Sequence, residues 1–249
     1  MIVYPNAKIN LGLNVLRKRE DGYHDISSVF FPVKECVDIL EIIRSESFEF
    51  TKSGIEIPDG ENICEKAWKL LDTDFAIGNV KIHLHKQIPI GAGLGGGSAD
   101  ASFTLKSLNE LFALNINNKE LEKYALRLGA DCPFFIDNTP KLVEGIGEKM
   151  TSIDLDLSNY EIRLVNPDIH ISTKEAYCGI VPKTPVLSVE KIIELPIIEW
   201  KGKLKNDFEE SIFEKHLQLA GIKDELYKQG SIYSSMSGSG SIVFGVFEK

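Results

Sequence analysis

An α+β fold is what this sequence predicts, and three observations predict it. Short stretches rich in Val, Ile and Phe with a two-residue period fill the first third of the chain. Helical spacing then takes over in the middle, and strand and helix patterns do not alternate in the regular order of a doubly wound parallel sheet. With 249 residues, 43% of them hydrophobic, the chain can bury a sizeable core as one large domain or two smaller ones.

Taken in order, the first element is a strand from Ala7. Ala7, Ile9, Leu11, Leu13 and Val15 alternate with Lys8, Asn10, Gly12 and Asn14, which predicts one buried face and one polar face shared by the lysine and the two asparagines. That polar face is either solvent decoration or part of a site. Asp21-Gly22 marks a turn that exits through Tyr23-His24 into a β-rich run over 26–33. Further short strands are predicted over 37–43, 48–50 and 55–57, with Lys52-Ser53-Gly54 as a turn. Asn62 and Glu65 form a capping box ahead of a helix, and Val80, Ile82 and Leu84 alternate with Lys81, His83 and His85 on an amphipathic strand. That histidine pair reads as an exposed polar face, since no third ligand lies nearby.

The strand feeds Pro89-Ile90-Gly91-Ala92-Gly93-Leu94-Gly95-Gly96-Gly97-Ser98, after which Ala101, Leu105, Leu108 and Phe112 recur at helical spacing. Ser98 is the predicted N-cap. A glycine loop entering a helix presents unpaired amides and the positive end of the helix dipole, a phosphate site. A second helix follows, capped by Asn117 and ended by Gly129, and Asp131 comes directly after it. A carboxylate there opposes the dipole, so it is either a turn residue before Pro133 or a functional one. The composition shifts around 151–158, placing a domain boundary between 1–150 and 151–249. Beyond it come a strand over 162–165, a Ser172-capped helix carrying Tyr177, an irregular stretch over 181–204, a helix from Asn206 to about Leu219, and a closing hairpin around Ser237-Gly238-Ser239-Gly240.

Composition narrows the function classes. Acidic residues outnumber basic ones 37 to 28, for a net charge of −9, which opposes binding to nucleic acid or to an anionic membrane surface. Cys36, Cys64, Cys132 and Cys178 form no C-x-x-C pair, and neither a secretory leader nor a long uncharged apolar segment is present, so a cytoplasmic protein is expected. Gly91-x-Gly93-x-x-Gly96 satisfies the dinucleotide fingerprint. Against it stand the alternating strand before the loop, the intervening Pro89 and the 90 residues that precede the motif. No Gly-Lys-Ser/Thr follows, so the loop is not a Walker A either. If ATP sits there, Lys8 is the candidate cation and Asp131 the candidate acceptor of a proton from an attacking hydroxyl.

These residues carry a resemblance. Pro89 to Ser102 resembles the phosphate loop of the GHMP kinases, the superfamily of galactokinase, homoserine kinase and mevalonate kinase, and Ser235 to Gly240 resembles its C-terminal motif. Ala7-Lys8-Ile9-Asn10-Leu11, Asp21-Gly22-Tyr23-His24, Leu128 to Phe135 and Gly145-Ile146-Gly147-Glu148 look like the branch that phosphorylates a cytidine diphosphate-linked methylerythritol on the non-mevalonate route to isoprenoids.

The resemblance implies a two-domain GHMP kinase fold, with a ribosomal-protein S5 domain 2-like N-terminal domain, a ferredoxin-like C-terminal domain and the active site in the cleft between them. It implies ATP and Mg2+ as cofactors and a small-molecule substrate. Lys8 and Asp131 match the catalytic pair; Pro89, Gly91, Gly93, Leu94, Gly95, Gly96, Gly97 and Ser98 match the ATP loop, with Ser98 also the candidate Mg2+ ligand. Asn10, Ser237 and Gly238 match substrate-positioning groups, and Tyr23, His24 and Tyr177 match the groups that hold the cytosine.

Overall fold

Alternation from Ala7 onward does become a strand, β2 (Asn6–Lys18), preceded by the short β1 (Ile2–Val3). Both faces of β2 are buried, not one: Lys8, Asn10 and Asn14 are enclosed together with Ile9, Leu11 and Leu13. Enclosed polar groups need partners. Asn10 Nδ2 donates to Ser28 Oγ at 2.9 Å and Asn14 Nδ2 to Asp207 Oδ1 at 3.2 Å. Solvent decoration is therefore not the role of this face.

The computed structural model describes residues 1–249, and the chain divides into two units. One comprises Met1–Lys8, Pro32–Ile90 and Gly95–Thr139, and the other Ile9–Phe31, Gly91–Leu94 and Pro140–Lys249. No helix is long and apolar enough to cross a membrane.

After β3 (His24–Val37), the first unit is built from β4 (Ile39–Arg44), β5 (Glu49–Gly54), α1 (Ile63–Phe75), β6 (Val80–Lys86), α2 (Gly96–Leu111), α3 (Asn118–Leu128) and α4 (Phe134–Asp137). Its sheet has the order β1-β4-β6-β5, antiparallel except for the parallel pair β5 and β6. The turn expected at Lys52-Ser53-Gly54 is instead part of β5, and Ile55–Ile57 lies outside the strand. The edge of β6 supplies ladder partners as far as Lys86, opposite Gly54, and so carries the pairing through those polar residues. Ser53 Oγ bridges His83 and His85 at 2.9 Å each, so hydroxyls of the neighbouring strand engage the histidine pair. The capping box forms as predicted: Asn62 Oδ1 accepts from Cys64 N–H and Glu65 from Asn62 N–H. Leu40, Ile42, Ile82 and Leu84 of the sheet pack with Ala67, Leu71, Leu105 and Leu108 of the helices. Trp68 stacks on Phe48 at 4.0 Å beside this core.

The second unit adds β7 (Lys141–Gly145), β8 (Lys149–Ser152), β9 (Tyr160–Val165), α5 (Thr173–Cys178), α6 (Val189–Ile193), a 3-10 turn (Ile197–Glu199), α7 (Phe208–Lys215), α8 (Leu217–Lys228), β10 (Tyr233–Met236) and β11 (Val243–Glu248). Two sheets result, β2-β3-β7-β8 and the antiparallel β10-β11-β9. Two expectations change here. The helix from Asn206 ends at Lys215, because His216 leaves helical dihedrals at φ −124° and ψ 71°, and α8 starts anew at Leu217. The stretch 181–204 is not irregular throughout: Ser188 caps α6, and Trp200 is buried, with its Nε1 donating to Leu195 O at 3.0 Å and its ring edge-on to Tyr233. Three prolines hid a segment that one large aromatic ring anchors.

Truncation at that anchor tests the packing. Trp200→Ala should lower the unfolding free energy by about 3–5 kcal/mol, read from urea denaturation followed by circular dichroism. A loss below about 1 kcal/mol would show that the ring contributes little to the core.

Candidate active site

The glycine loop leaves β6 under tight control. Asp38 Oδ1 accepts the backbone N–H groups of Gln87 and Ile88 at 2.6 and 2.9 Å, while its Oδ2 takes Lys86 Nζ at 2.5 Å. Lys86 Nζ also donates to Asp100 Oδ2 at 2.7 Å. All three side chains are buried. Burial opposes the charge on Lys86, but the Asp100 and Asp38 carboxylates outweigh it and the ammonium titrates above its ordinary range. Burial pushes the Asp100 carboxyl up to about 7, an effect that Lys86 offsets only in part, and Asp100 Oδ1 is buried with no hydrogen-bond partner. The sequence pattern carries little signal of this three-charge cluster, because Asp38 and Lys86 sit in strand patterns where charges ordinarily face solvent.

Helix α2 begins at Gly96, so the cap expected at Ser98 is displaced. Gly95 adopts φ 68° and serves as N-cap, and Ala99 N–H closes the first helical bond to Gly95 O at 2.9 Å. The left-handed turn at Gly95 starts the helix three residues early and puts Ser98 in its first turn. No side chain caps this end. A helix start without a side-chain cap presents its first amides to an anion.

Lys8 and Asp131 meet in the same unit, Nζ to Oδ2 at 3.6 Å. The lysine side chain is 4% exposed and the carboxylate 34%, so one member of the pair is enclosed while the other reaches solvent. Burial lowers the Lys8 pKa, and Asp131 opposes that shift. The turn that carries Asp131 is held on both sides. Gly129 N–H bonds Ala125 O at 3.2 Å, Ser102 Oγ donates to Cys132 O at 2.7 Å, and Phe134 and Phe135 are fully buried beyond it. Burial also raises the Cys132 thiol to about 11, despite the Ser98 and Ser102 hydroxyls beside it, which disfavours the thiolate. A Cβ on Gly95 would lie 3.1 Å from Lys8 Cγ and from Phe135 Cζ. The loop and the lysine thus share one packed spot.

The other unit gathers most of the remaining candidates. Ser237 Oγ accepts from Asn10 N–H at 3.2 Å and donates to Gly93 O at 2.9 Å, joining the first strand, the glycine loop and the C-terminal motif. A Cβ on Gly93 would fall 2.1 Å from Ser237 O, and one on Gly238 would fall 3.3 Å from Asn10 Oδ1. Leu94 is buried, and Gly91 faces the His170 ring. Asn206, just ahead of α7, and Glu209, in its first turn, organise this corner. Asn206 Nδ2 donates to both Met236 O and Gly238 O at 2.8 Å, and Glu209 Oε1 accepts from Ser235 Oγ and Met236 N–H at 2.8 and 2.7 Å.

The aromatic candidates divide. His24 stacks on Tyr177 with ring centroids 4.8 Å apart and planes 23° apart, and Phe208 supports Tyr177 edge-on. Tyr23 is 61% exposed, on a turn where Asp21 Oδ1 accepts its N–H at 3.1 Å. Burial and nearby Lys18 lower the His24 pKa, which favours the neutral ring. The chain holds no cluster of three or more His, Cys, Asp or Glu able to hold a metal.

Comparison with known proteins gives the family and the fold. The family model described as GHMP kinases N terminal domain matches residues 62–138, and GHMP kinases C terminal matches 194–249. The 4-diphosphocytidyl-2-C-methyl-D-erythritol kinase of Parabacteroides distasonis is 51% identical, over 100% of this chain and 92% of that protein. A crystal structure of 4-(cytidine 5'-diphospho)-2C-methyl-D-erythritol kinase superposes with a TM-score of 0.85 at 33% identity, covering 99% of this chain and 90% of that one. Homoserine kinase from Cytophaga hutchinsonii, at 16% identity and a TM-score of 0.71 over 98% and 85% of the two chains, shares the fold alone.

The two ends of the glycine loop should respond differently to a methyl group. Gly93→Ala forces a positive φ of 82° and a clash with backbone, so it should cost more than the about 1–3 kcal/mol of dihedral strain alone. Gly97→Ala meets nothing within 4 Å at a helical position and should be neutral or stabilising by about 0.5–1 kcal/mol. Thermal denaturation of the two variants checks the contrast, and equal losses would contradict it.

Proposed function

Because this chain belongs to the 4-diphosphocytidyl-2-C-methyl-D-erythritol kinases, within the GHMP kinase family, we propose that it transfers the γ-phosphoryl group of ATP to the 2-hydroxyl of 4-diphosphocytidyl-2-C-methyl-D-erythritol, leaving ADP and the 2-phosphate. The observation that carries the assignment to residues is the Lys8–Asp131 pair, packed against the glycine at the start of α2.

Phosphoryl transfer asks mainly for positioning and charge stabilisation. The amides at the start of α2 receive the nucleotide phosphates. Lys8, enclosed and fixed by Gly95 and Asp131, supplies one cation where charge develops on the transferring group. Asp131, partly exposed, takes the proton of the attacking hydroxyl; a loose transition state needs that acceptor late and does not demand a strong base. Asn10, Ser237 and Gly238 position the substrate through the corner that Ser237 Oγ ties together. His24 and Tyr177 offer a flat aromatic surface for the cytosine, with Tyr23 at its exposed edge.

Magnesium fits this donor set in one way. Mg2+ commonly takes one or two protein oxygens plus nucleotide phosphates and water, so a chain without an acidic cluster is compatible with a metal delivered by ATP. Ser98, in the first turn of α2, is the side chain that would contribute, and the ion would neutralise phosphate charge.

An assay of ADP release should show turnover with the cytidyl substrate and background rates with homoserine and mevalonate; no turnover with the cytidyl substrate would overturn the assignment. Asp131→Asn should lower kcat by on the order of a hundredfold or more while ATP affinity holds, whereas a collapse of ATP binding would make Asp131 structural. Tyr177→Ala should raise KM for the cytidyl substrate by about tenfold and leave KM for ATP unchanged. Parallel changes in both constants would argue against stacking on the base.

A further inference from the structure

The buried cluster of Lys86, Asp38 and Asp100 has no part in the mechanism above. Its place in the chain is informative. Lys86 is the last residue of β6 and Asp100 lies in the opening turns of α2, so their 2.7 Å contact closes the base of the glycine-rich segment between them. Asp38 completes the closure, taking Lys86 with one oxygen and the amides of Gln87 and Ile88 with the other. Lys86 cannot itself reach a ligand, because its side chain is 4% exposed. It lies directly behind the loop, where a Cβ on Gly96 would be 2.9 Å from Nζ. Stability is a poor reason to keep three charges here. Apolar side chains of similar volume often match or exceed a buried ion cluster, and Asp100 Oδ1 carries an uncompensated desolvation cost.

We propose that Lys86 is a positioning residue for the ATP phosphates: stapled to Asp38 and Asp100, it holds the start of α2 and the strand exit in the arrangement that binds the nucleotide. A loop held in its binding arrangement loses less entropy when the ligand arrives, so the benefit falls on ATP and not on the other substrate. The inference rests on reading Gly95–Ser98 as the phosphate loop.

Steady-state kinetics of the intact enzyme test it. Lys86→Met should raise KM for ATP by about tenfold or more while KM for the cytidyl substrate changes by less than about twofold. Should Lys86→Met fail to fold, Asp100→Asn decides, since it keeps a carbonyl acceptor for Nζ and removes only the charge; about a threefold rise confined to ATP is expected. If the folded variant changes neither constant, or moves both in parallel, the cluster is packing alone and the proposal falls. Gly97→Asp separates the two ideas. It places a carboxylate on the open side of the loop at a helix position that favours acids, so the fold should hold while KM for ATP rises. No rise there would overturn the phosphate-loop reading itself, and the positioning role with it.

Discussion

A methyl group at position 93 would lie 2.1 Å from the Ser237 carbonyl oxygen, one at 95 would lie 3.1 Å from the stem of Lys8, and one at 96 would lie 2.9 Å from the Lys86 ammonium. Backbone brought this close to its partners is the constraint on which the packing around the glycine loop depends in each unit. The glycines supply left-handed dihedrals at 91, 93 and 95, and the missing side chains at 93, 95 and 96 leave room for the Ser237 carbonyl and the Lys8 and Lys86 side chains. Within its own unit Gly93 lies against the C-terminal motif, and within theirs Gly95 and Gly96 lie against the lysine of the first strand and the buried ion cluster.

The two enclosed lysines show how similar side chains are put to different uses. Lys8 has one carboxylate at 3.6 Å, itself partly open to solvent, and burial lowers its pKa. Lys86 has two enclosed carboxylates at 2.5 and 2.7 Å, which hold its proton more firmly than burial loosens it. Lys86 thus has its charge consumed internally by two carboxylates, whereas the carboxylate beside Lys8 reaches solvent. The difference follows from which carboxylates the fold brings near, not from the strand each lysine occupies.

Much of this was legible in the residues. The helix caps, the alternation of β6 and the glycine run are local signals, and such signals often survive folding: Asn62 caps α1 with a full capping box and Asn117 caps α3 through its side chain alone. Signals that depend on partners remote in sequence were harder to read. Ser98 looked like a cap because Ser usually is one, but Gly95 could turn the chain earlier. The polar face of β2 looked half exposed because nothing nearby in the chain reveals that Ser28 and Asp207 will cover it. Trp200, Asn206 and the Lys86 cluster were obscured for the same reason, since each has its meaning in contacts made across tens of residues.

The chain has two tryptophans, and each unit holds one. Trp68 lies against Phe48 at the margin of the first unit's core, partly open to water, whereas Trp200 is buried in the second unit. A sealed indole emits at shorter wavelength than a wetted one, so the two units carry separable optical signatures without any added label. Whether they melt as one cooperative body or in succession is thus written into the intrinsic fluorescence of the native chain.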